Sequence, residues 1–128
     1  MSRAGFRARP IVLIVDDDPD VGGGLRDLLE HEGYRVLLTA TGQDSIVAAE
    51  AERIDVVVLD PDLPDLDGLN VLAALHARDP RLPVIIATAV PNRKMESLSQ
   101  GAFGYLAKPF PHDALLMLLR RALVAGGA

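Results

Sequence analysis

The sequence predicts an α/β protein, in which five parallel strands form one doubly wound sheet with helices on both faces. Short apolar runs, mostly β-branched, alternate with segments whose apolar residues recur at helical spacing. The connections are short, which favours right-handed strand–helix–strand crossovers. We expect strands over residues 11–16, 35–39, 55–60, 83–88 and 103–107.

The segments between the strands carry signals typical of helix starts and stops. In the first segment, Leu25 and Leu29 lie four residues apart on one face, and Gly33 suits the helix end. Thr41 followed by Asp44 resembles a capping box in which Asp replaces the usual Glu. We expect later helices to end at Asp79-Pro80 and at Gly101, and Leu69, Leu72 and Leu75 to share one helix face.

Length and composition are typical of one globular domain without disulfides. The chain has 128 residues, no cysteine and a net charge of −5, which disfavours general nucleic-acid binding. No apolar stretch approaches the roughly 18 residues of a membrane span, so we expect no membrane insertion and a cytoplasmic location. Arginines at positions 3, 7 and 9 predict a flexible basic tail over residues 1–9, ahead of a domain over 10–125.

Polar residues that suit phosphate and metal chemistry follow the apolar runs. Because carboxyl ends of parallel strands meet at one edge, this fold would gather several carboxylates, one hydroxyl and one ammonium there. Clustered like charges need a cation, and carboxylate oxygens suit Mg²⁺ or Mn²⁺. The pattern therefore suggests a metal-assisted phosphate site formed by Asp16, Asp17, Asp60, Thr88 and Lys108.

Several of these residues have a structural interpretation as well as a functional one. Asp16 and Asp17 suit either a cation site or acidic capping of the next helix, which Asp18-Pro19 also fits. Asp60 could be a metal ligand, a nucleophile towards phosphorus or a loop residue. Lys108 would neutralise the carboxylates, and a cis bond before Pro109 would aim it inward. We expect three further loop acids to be solvated or capping, with the last capping the next helix: Asp62, Asp65 and Asp67.

Four segments in this order resemble the receiver (CheY-like) domain of two-component response regulators, from about residue 10 to residue 124. Each segment alone is weakly specific, whereas their order and spacing together are strongly so. The resemblance implies a flavodoxin-like (βα)5 sheet with strand order 2-1-3-4-5. The segments are LIVDDDP (13–19), VLDPDLPDLDG (58–68), PVIIATA (83–89) and GAFGYLAKPF (101–110).

The resemblance also implies a role for each matching residue. Asp60 matches the phosphoacceptor, which takes a phosphoryl group from a phosphohistidine. Lys108 and the Thr88 hydroxyl match groups that contact the phosphoryl oxygens, and Tyr105 matches an aromatic switch that turns inward as Thr88 moves. The residues that match the Mg²⁺ site are Asp16, Asp17, Asp60 and the backbone carbonyl of Asp62.

The partners implied by the resemblance are proteins rather than metabolites. A histidine kinase or histidine phosphotransfer domain would donate the phosphoryl group. A downstream protein or an output domain would read a surface formed by the fourth helix, fifth strand and fifth helix, and a phosphorylation-dependent homodimer is allowed. Such a domain catalyses only its own phosphorylation and dephosphorylation, and binds neither nucleic acid nor membrane directly.

Three features depart from the family pattern. Pro61 and the acidic Asp62 follow Asp60, and extra charge there would alter metal affinity and the lifetime of the phosphorylated state. Gly22, Gly23 and Gly24 fall inside the first helix, where each glycine costs about 1 kcal/mol relative to alanine, so we expect that helix to start late or fray. These glycines would also let a partner helix approach closely. The segment from Thr88 to Gly101, opened by Pro91-Asn92, is short, which predicts a shortened fourth helix and an altered switch.

Three other functions remain open from the sequence. The Asp60-Pro61-Asp62 motif is similar to the nucleophile motif of haloacid-dehalogenase-type phosphatases, although that family needs more downstream chain and leaves Asp16 and Asp17 unexplained. Flavin binding occurs on the same topology, but its phosphate loop is not acidic. A receiver-like module that acts through protein contacts without phosphorylation is the strongest alternative.

Overall fold

A computed structural model describes residues 9–90 and 92–127 of the chain. Residues 1–8 of the predicted basic tail lie outside this description, as do Pro91 and Ala128, while Arg9 is exposed. The predicted limits of the tail and of the domain therefore stay predictions.

All five strands are parallel and form one sheet in the order β2-β1-β3-β4-β5, which confirms the predicted fold class and topology. The apolar β-branched runs occupy the central positions because strands covered on both faces bury every side chain. Each predicted boundary lies within one residue of the observed one. The strands are β1 (Ile11–Val15), β2 (Arg35–Thr39), β3 (Val56–Leu59), β4 (Val84–Thr88) and β5 (Gly104–Ala107).

Within the part of the chain that the structure describes, five helices connect or follow these strands. Most begin and end where the sequence signals indicate: the Thr41 hydroxyl and the Asp67 carboxylate cap helix starts, and Gly33 and Gly101 adopt positive φ angles after helix ends. The helices are α1 (Pro19–His31), α2 (Gly42–Ala51), α3 (Gly68–Arg78), α4 (Lys94–Ser99) and α5 (His112–Gly127).

The expectation that the glycines would delay or fray α1 is wrong, because α1 runs without interruption from Pro19. The Asp18 carboxylate accepts the N–H groups of Asp20 and Val21 and so fixes the first turn. Packing also offsets the low helix propensity. A Cβ on Gly22 would lie 2.9 Å from a methyl group of Leu38 on β2, so the glycine lets helix and sheet approach closely.

Alternate residues of each strand face two separate helix layers. Val12 and Ile14 of β1 pack with α1 and α5, whereas Leu13 and Val15 pack with α2 and α3. Both layers are completed by fully buried leucines, so the sheet is held rigidly between them. Among the described residues, no helix has the length and apolarity that spanning a membrane requires.

The fourth helix is short, as the sequence predicts. It has six residues, and its N-cap residue, Arg93, makes no side-chain capping hydrogen bond. Exposed apolar side chains on and before it include Val90, Met95 and Leu98. Pro91, which was expected to open this segment, lies outside the described residues.

Among the glycines that the structure describes, Gly68 has the least room for a side chain. A Cβ there would overlap the Cα of Pro61, in the loop that follows β3. We expect Gly68→Ala to lower the free energy of unfolding by about 2–3 kcal/mol, because backbone must move to admit the methyl group. Urea denaturation at neutral pH measures the loss.

Gly24→Ala is the matched control for this substitution. Gly24 lies within α1, and a Cβ there would meet no atom within 4 Å. We expect this variant to be more stable than the wild type by about 1 kcal/mol. Equal effects of the two substitutions would contradict the close approach of Gly68 to Pro61.

Candidate functional site

The carboxyl ends of the strands bring the predicted site residues to one edge of the sheet. The backbone N–H groups of Asp16 and Asp60 donate to the last residues of neighbouring strands, at 3.0 and 2.9 Å. Lys108 likewise donates its N–H to the carbonyl of Thr88 at 2.7 Å. Each residue therefore extends the hydrogen-bond ladder of the sheet by one step, which fixes where its side chain starts.

The buried carboxylate of Asp16 and the partly buried carboxylate of Asp60 are oriented in the same way. In Asp16, Oδ1 accepts the N–H of Asp18 at 2.9 Å and Oδ2 accepts Nζ of Lys108 at 2.7 Å. In Asp60, Oδ1 accepts the N–H of Asp62 at 2.9 Å and Oδ2 accepts Nζ of Lys108 at 2.9 Å. One oxygen of each carboxylate thus anchors its own loop, while the other contacts the shared ammonium.

Lys108 is a partly buried cation between these two anions. Burial by itself would lower the pKa of Lys108, but the hydrogen bonds and charges of Asp16 and Asp60 outweigh it and raise the pKa above 10.5. The side chain is therefore charged at neutral pH. The Lys108–Pro109 peptide bond is cis, as the sequence suggested.

Asp17 completes a cluster of three carboxylates. One oxygen each of Asp16, Asp17 and Asp60 lies within 4.8 Å of the others, and Asp17 is exposed at the surface. Lys108 balances only one of the negative charges, so the cluster keeps a net negative charge. Oxygen ligands with excess negative charge fit a hard divalent cation such as Mg²⁺.

The loop after Asp60 is acidic, and its carboxylates bind neighbouring segments. Asp65 accepts the N–H groups of Gly42 and Gln43 at 2.8 and 2.9 Å, so it caps α2 from a distant part of the chain. These two hydrogen bonds lower the pKa of Asp65 below 3.8. Asp65 was expected to be solvated or capping, and the structure shows the second of these roles.

Asp67 caps α3, as predicted, and also binds an arginine that the sequence analysis did not single out. Its Oδ1 accepts the N–H of Leu69 at 2.9 Å, and both of its oxygens lie within 3.2 Å of Arg93 Nη1. The capping hydrogen bond and Arg93 hold the pKa of Asp67 below its ordinary value. Arg93 also contacts Glu96 at 2.8 Å. No sequence signal marks Arg93, because its partner lies 26 residues away.

Thr88 is buried, and among the described residues its hydroxyl makes no hydrogen bond to Asp60. Its Oγ1 donates towards Oδ2 of Asp62 at 3.2 Å and lies 3.3 Å from the carbonyl oxygen of Val90. The Asp62 side chain was expected to be solvated or capping. It is exposed, but it also contacts Thr88, which the sequence alone did not indicate.

Tyr105 lies on β5 with its ring against the layer of the core that contains α2 and α3. Its hydroxyl is buried and has no hydrogen-bond partner among the described residues. A buried hydroxyl without a partner carries a desolvation cost of about 1–3 kcal/mol. The side chain expected to act as a switch therefore has its polar hydroxyl in surroundings that offer it no hydrogen bond.

The chain belongs to the response regulator receiver domain family, whose family model matches residues 12–120. A receiver domain of this family is a signalling protein of two-component systems and not a metabolic enzyme. The family assignment agrees with the observed fold, with the acidic cluster at the carboxyl edge of the sheet and with the lysine beside it.

Curated relatives are transcriptional regulators. The probable transcriptional regulatory protein TcrX of Mycobacterium tuberculosis is 38% identical over 88% of this chain and 49% of its own length. The C4-dicarboxylate transport transcriptional regulatory protein DctD of Pseudomonas aeruginosa is 39% identical over 94% of this chain and 26% of its own length. The chain thus spans about half the length of TcrX and about a quarter of the length of DctD.

Solved receiver structures superpose closely on this chain. A CheY-like receiver from Methanospirillum hungatei has a TM-score of 0.87, 30% identity and coverage of 93% of this chain and 97% of its own. The receiver domain of the sensor histidine kinase PA1611 from Pseudomonas aeruginosa was solved with a magnesium ion in its active-site cleft. It has a TM-score of 0.83 and 33% identity, and the match covers 91% of this chain and 99% of its own.

TrrA of Thermotoga maritima, solved in complex with Mg²⁺ and BeF, has a TM-score of 0.84 and 26% identity over 89% of this chain and 99% of its own.

The Asp67 contacts predict a specific dependence of stability on pH. We expect Asp67→Ala to lower the free energy of unfolding at pH 7 by about 1 kcal/mol, because α3 loses its cap and Arg93 loses an exposed partner. A depressed pKa stabilises the folded state fully above the unfolded value of 3.8, and this stabilisation is lost as pH falls through the folded pKa. Urea denaturation between neutral pH and about pH 2.5 should show the two proteins converging.

Glu30→Ala is the control, since the Glu30 side chain is exposed on α1 and makes no hydrogen bond or ion pair with the described residues. Its stability curve should run parallel to that of the wild type. A deficit of Asp67→Ala that stays constant into acid would show that the charge of Asp67 does not contribute.

Proposed function

We propose that this domain accepts a phosphoryl group on Asp60 from the phosphohistidine of a histidine kinase or histidine phosphotransfer domain. The observation that carries this proposal is the placement of Asp60 Oδ2 at 2.9 Å from the ammonium of Lys108, within an acidic cluster at the carboxyl edge of the sheet. A carboxylate nucleophile beside a fixed cation suits phosphoryl transfer, which depends on positioning and charge neutralisation.

In the proposed reaction, a carboxylate oxygen of Asp60 attacks phosphorus and forms a P–O bond. The P–N bond of the phosphohistidine breaks, and its electron pair returns to the imidazole ring of the donor. Oδ1 of Asp60 is held by the N–H of Asp62, which keeps the carboxylate in place during the transfer. Lys108 contacts the phosphoryl oxygens and offsets their charge, and hydrolysis of the acyl phosphate later restores Asp60.

The acidic cluster would hold Mg²⁺ or Mn²⁺ through the carboxylates of Asp16, Asp17 and Asp60 and the backbone carbonyl of Asp62. When bound, the cation neutralises charge on the transferring group. Asp16 is oriented for this role by Asp18 N–H and Lys108, whereas Asp17 reaches the cluster from an exposed position.

The response to phosphorylation is proposed to pass through Thr88 and Tyr105. Thr88 would move its hydroxyl to a phosphoryl oxygen, and the tyrosine ring would adjust behind it. The unpartnered hydroxyl of Tyr105 supports such a role, because a rearrangement that gives this buried group a hydrogen bond would stabilise it. Large exposed apolar side chains line the surface that would change: Met95 and Leu98 on α4, and Met117 and Val124 on α5.

A mostly apolar groove of about 580 Å³ beside Lys108 supports docking of the phosphoryl donor. It lies between α1 and the β5–α5 loop, and Gly24 and Phe110 are among the residues that line it. Because a Cβ on Gly24 would meet no described atom within 4 Å beyond its chain neighbours and its own helix backbone, the glycine leaves space for a partner helix.

The downstream step is proposed to act on a further domain or a separate protein. The related transcriptional regulators TcrX and DctD are longer than the region that this chain matches. By analogy, the signal from Asp60 would alter a protein–protein surface and reach nucleic acid only through that partner.

A phosphorylation-independent interaction module is the second candidate. The short, side-chain-uncapped α4 favours it, because this segment offers little regular structure to reorganise. In that case Asp60→Asn would leave the affinity for a partner unchanged, whereas a phosphorylation switch would lose its response.

Intact mass after incubation with acetyl phosphate tests the proposed phosphoacceptor. We expect one Mg²⁺-dependent phosphoryl adduct on the wild type and none on Asp60→Asn, because the amide is not a nucleophile towards phosphorus. Asp65→Asn is the control in the same loop and should keep the adduct. A wild type that takes no phosphoryl group from acetyl phosphate or from a histidine kinase would favour the second candidate.

Thermodynamic linkage tests the proposed cation site without requiring phosphorylation. Mg²⁺ at about ten times its dissociation constant should raise the free energy of unfolding by about 1.4 kcal/mol. Asp17→Asn should reduce this gain, because it removes one exposed ligand that has no hydrogen bond with the described residues. Glu30→Gln removes a charge from the last turn of α1, outside the cluster, and should retain the full gain in stability. An equal gain in all three proteins would place the cation elsewhere.

A further inference from the structure

The carboxylate of Asp62 contacts the side chain whose movement the proposed function requires. Asp62 Oδ2 lies 3.2 Å from Oγ1 of Thr88, although the two residues are 26 positions apart in the chain. The proposed cation site uses only the backbone carbonyl of Asp62. The side chain therefore has a contact that phosphoryl transfer itself does not explain.

The Thr88 hydroxyl has one proton and satisfies one strong acceptor at a time. Two acceptors lie near it, the Asp62 carboxylate at 3.2 Å and the carbonyl oxygen of Val90 at 3.3 Å. A hydrogen bond to an ionised carboxylate is stronger than one to a neutral carbonyl, so the proton is directed towards Asp62. Oγ1 also accepts the N–H of Val90 at 3.0 Å, which leaves its own proton free for Asp62, and among the described residues it makes no hydrogen bond to Asp60.

We propose that Asp62 is a positioning residue that holds Thr88 in the inactive orientation and so opposes the switch. The inference rests on the proposed function, because a phosphoryl group on Asp60 would compete with Asp62 for the same proton. When Thr88 turns to the phosphoryl group, the exposed Asp62 carboxylate is released to water. The free-energy gap between the inactive and active states therefore includes the loss of this hydrogen bond.

A second contact keeps the competing groups close to one another. Arg93, five residues after Thr88, binds Asp67 at 3.1 and 3.2 Å and so joins the β4–α4 segment to the loop that carries Asp62. The two segments are thus linked at both ends of the acidic loop. The Arg93–Asp67 contact keeps the two segments close, and the hydrogen bond to Asp62 then sets the orientation of the Thr88 side chain.

The expected effect on the switch is modest. The 3.2 Å distance is longer than usual for an O–H···O hydrogen bond, and Asp62 is exposed, so water competes for it. We expect Asp62→Ala to lower the beryllofluoride concentration at half-saturation about three- to tenfold, with Mg²⁺ saturating for each variant. Beryllofluoride serves as the phosphoryl analogue, and amide NMR signals of Thr88 and Tyr105 report binding.

The orientation of Thr88 is measured first in the protein without beryllofluoride. Three-bond couplings to the Thr88 methyl carbon give its χ1 populations. We expect one dominant rotamer in the wild type and in Asp62→Asn, which retains an acceptor oxygen, and a redistribution in Asp62→Ala. Unchanged populations in Asp62→Ala would overturn the proposal even if the domain took no phosphoryl group at all.

A double-mutant cycle separates the hydrogen bond from the charge of Asp62. In a Thr88→Val background, Asp62→Ala should no longer change half-saturation by beryllofluoride, because the competing proton is absent. Asp65→Asn, which removes a charge from the same loop without touching Thr88, should match the wild type. An effect of Asp62→Ala that survives in Thr88→Val would show a purely electrostatic role and overturn the proposal.

A wild type that binds no beryllofluoride and takes no phosphoryl group, yet shows the expected change in Thr88 rotamers, would contradict the proposed function alone. In that case the Asp62–Thr88 contact would still control the orientation of the threonine.

Discussion

The ammonium group of Lys108 is the interaction on which the rest of the site depends. It lies between a nearly fully buried carboxylate at the end of β1 and a second one at the end of β3, and it connects both to the β5–α5 loop. A buried carboxylate without a counter-charge is strongly unfavourable. One ammonium cannot balance three carboxylates, so the cluster keeps the excess negative charge that suits a divalent cation.

The acidic loop between β3 and α3 connects this centre to the rest of the molecule. Its carboxylates have different partners: Asp62 contacts Thr88, Asp65 caps α2, and Asp67 caps α3 and binds Arg93. Close approach of Gly68 to Pro61 fixes the path of the loop between them. A change at Asp60 is therefore placed beside contacts to three neighbouring segments, which is where a switch would need it.

The sequence predicts the strands and the edge of the sheet where the site residues meet better than it predicts individual side-chain contacts. Strand limits follow from runs of β-branched residues, and the meeting of Asp16 and Asp60 follows from parallel topology, since both end a strand. The continuous α1 was not predicted, because the benefit of Gly22 comes from Leu38 on another element. The same reason hid Arg93, whose partner is defined only once the loops are folded.

The 92 residues that separate Asp16 from Lys108 have a consequence for the order of folding. A chain emerging from the ribosome contains all three clustered carboxylates well before it contains their lysine. Until β5 has joined the sheet, these anions repel each other without an internal counter-charge, and Asp60 lacks its cationic neighbour. Under the proposed function, the centre would become chemically competent only together with the last strand, so a partly folded nascent domain would be a poor recipient of a signal.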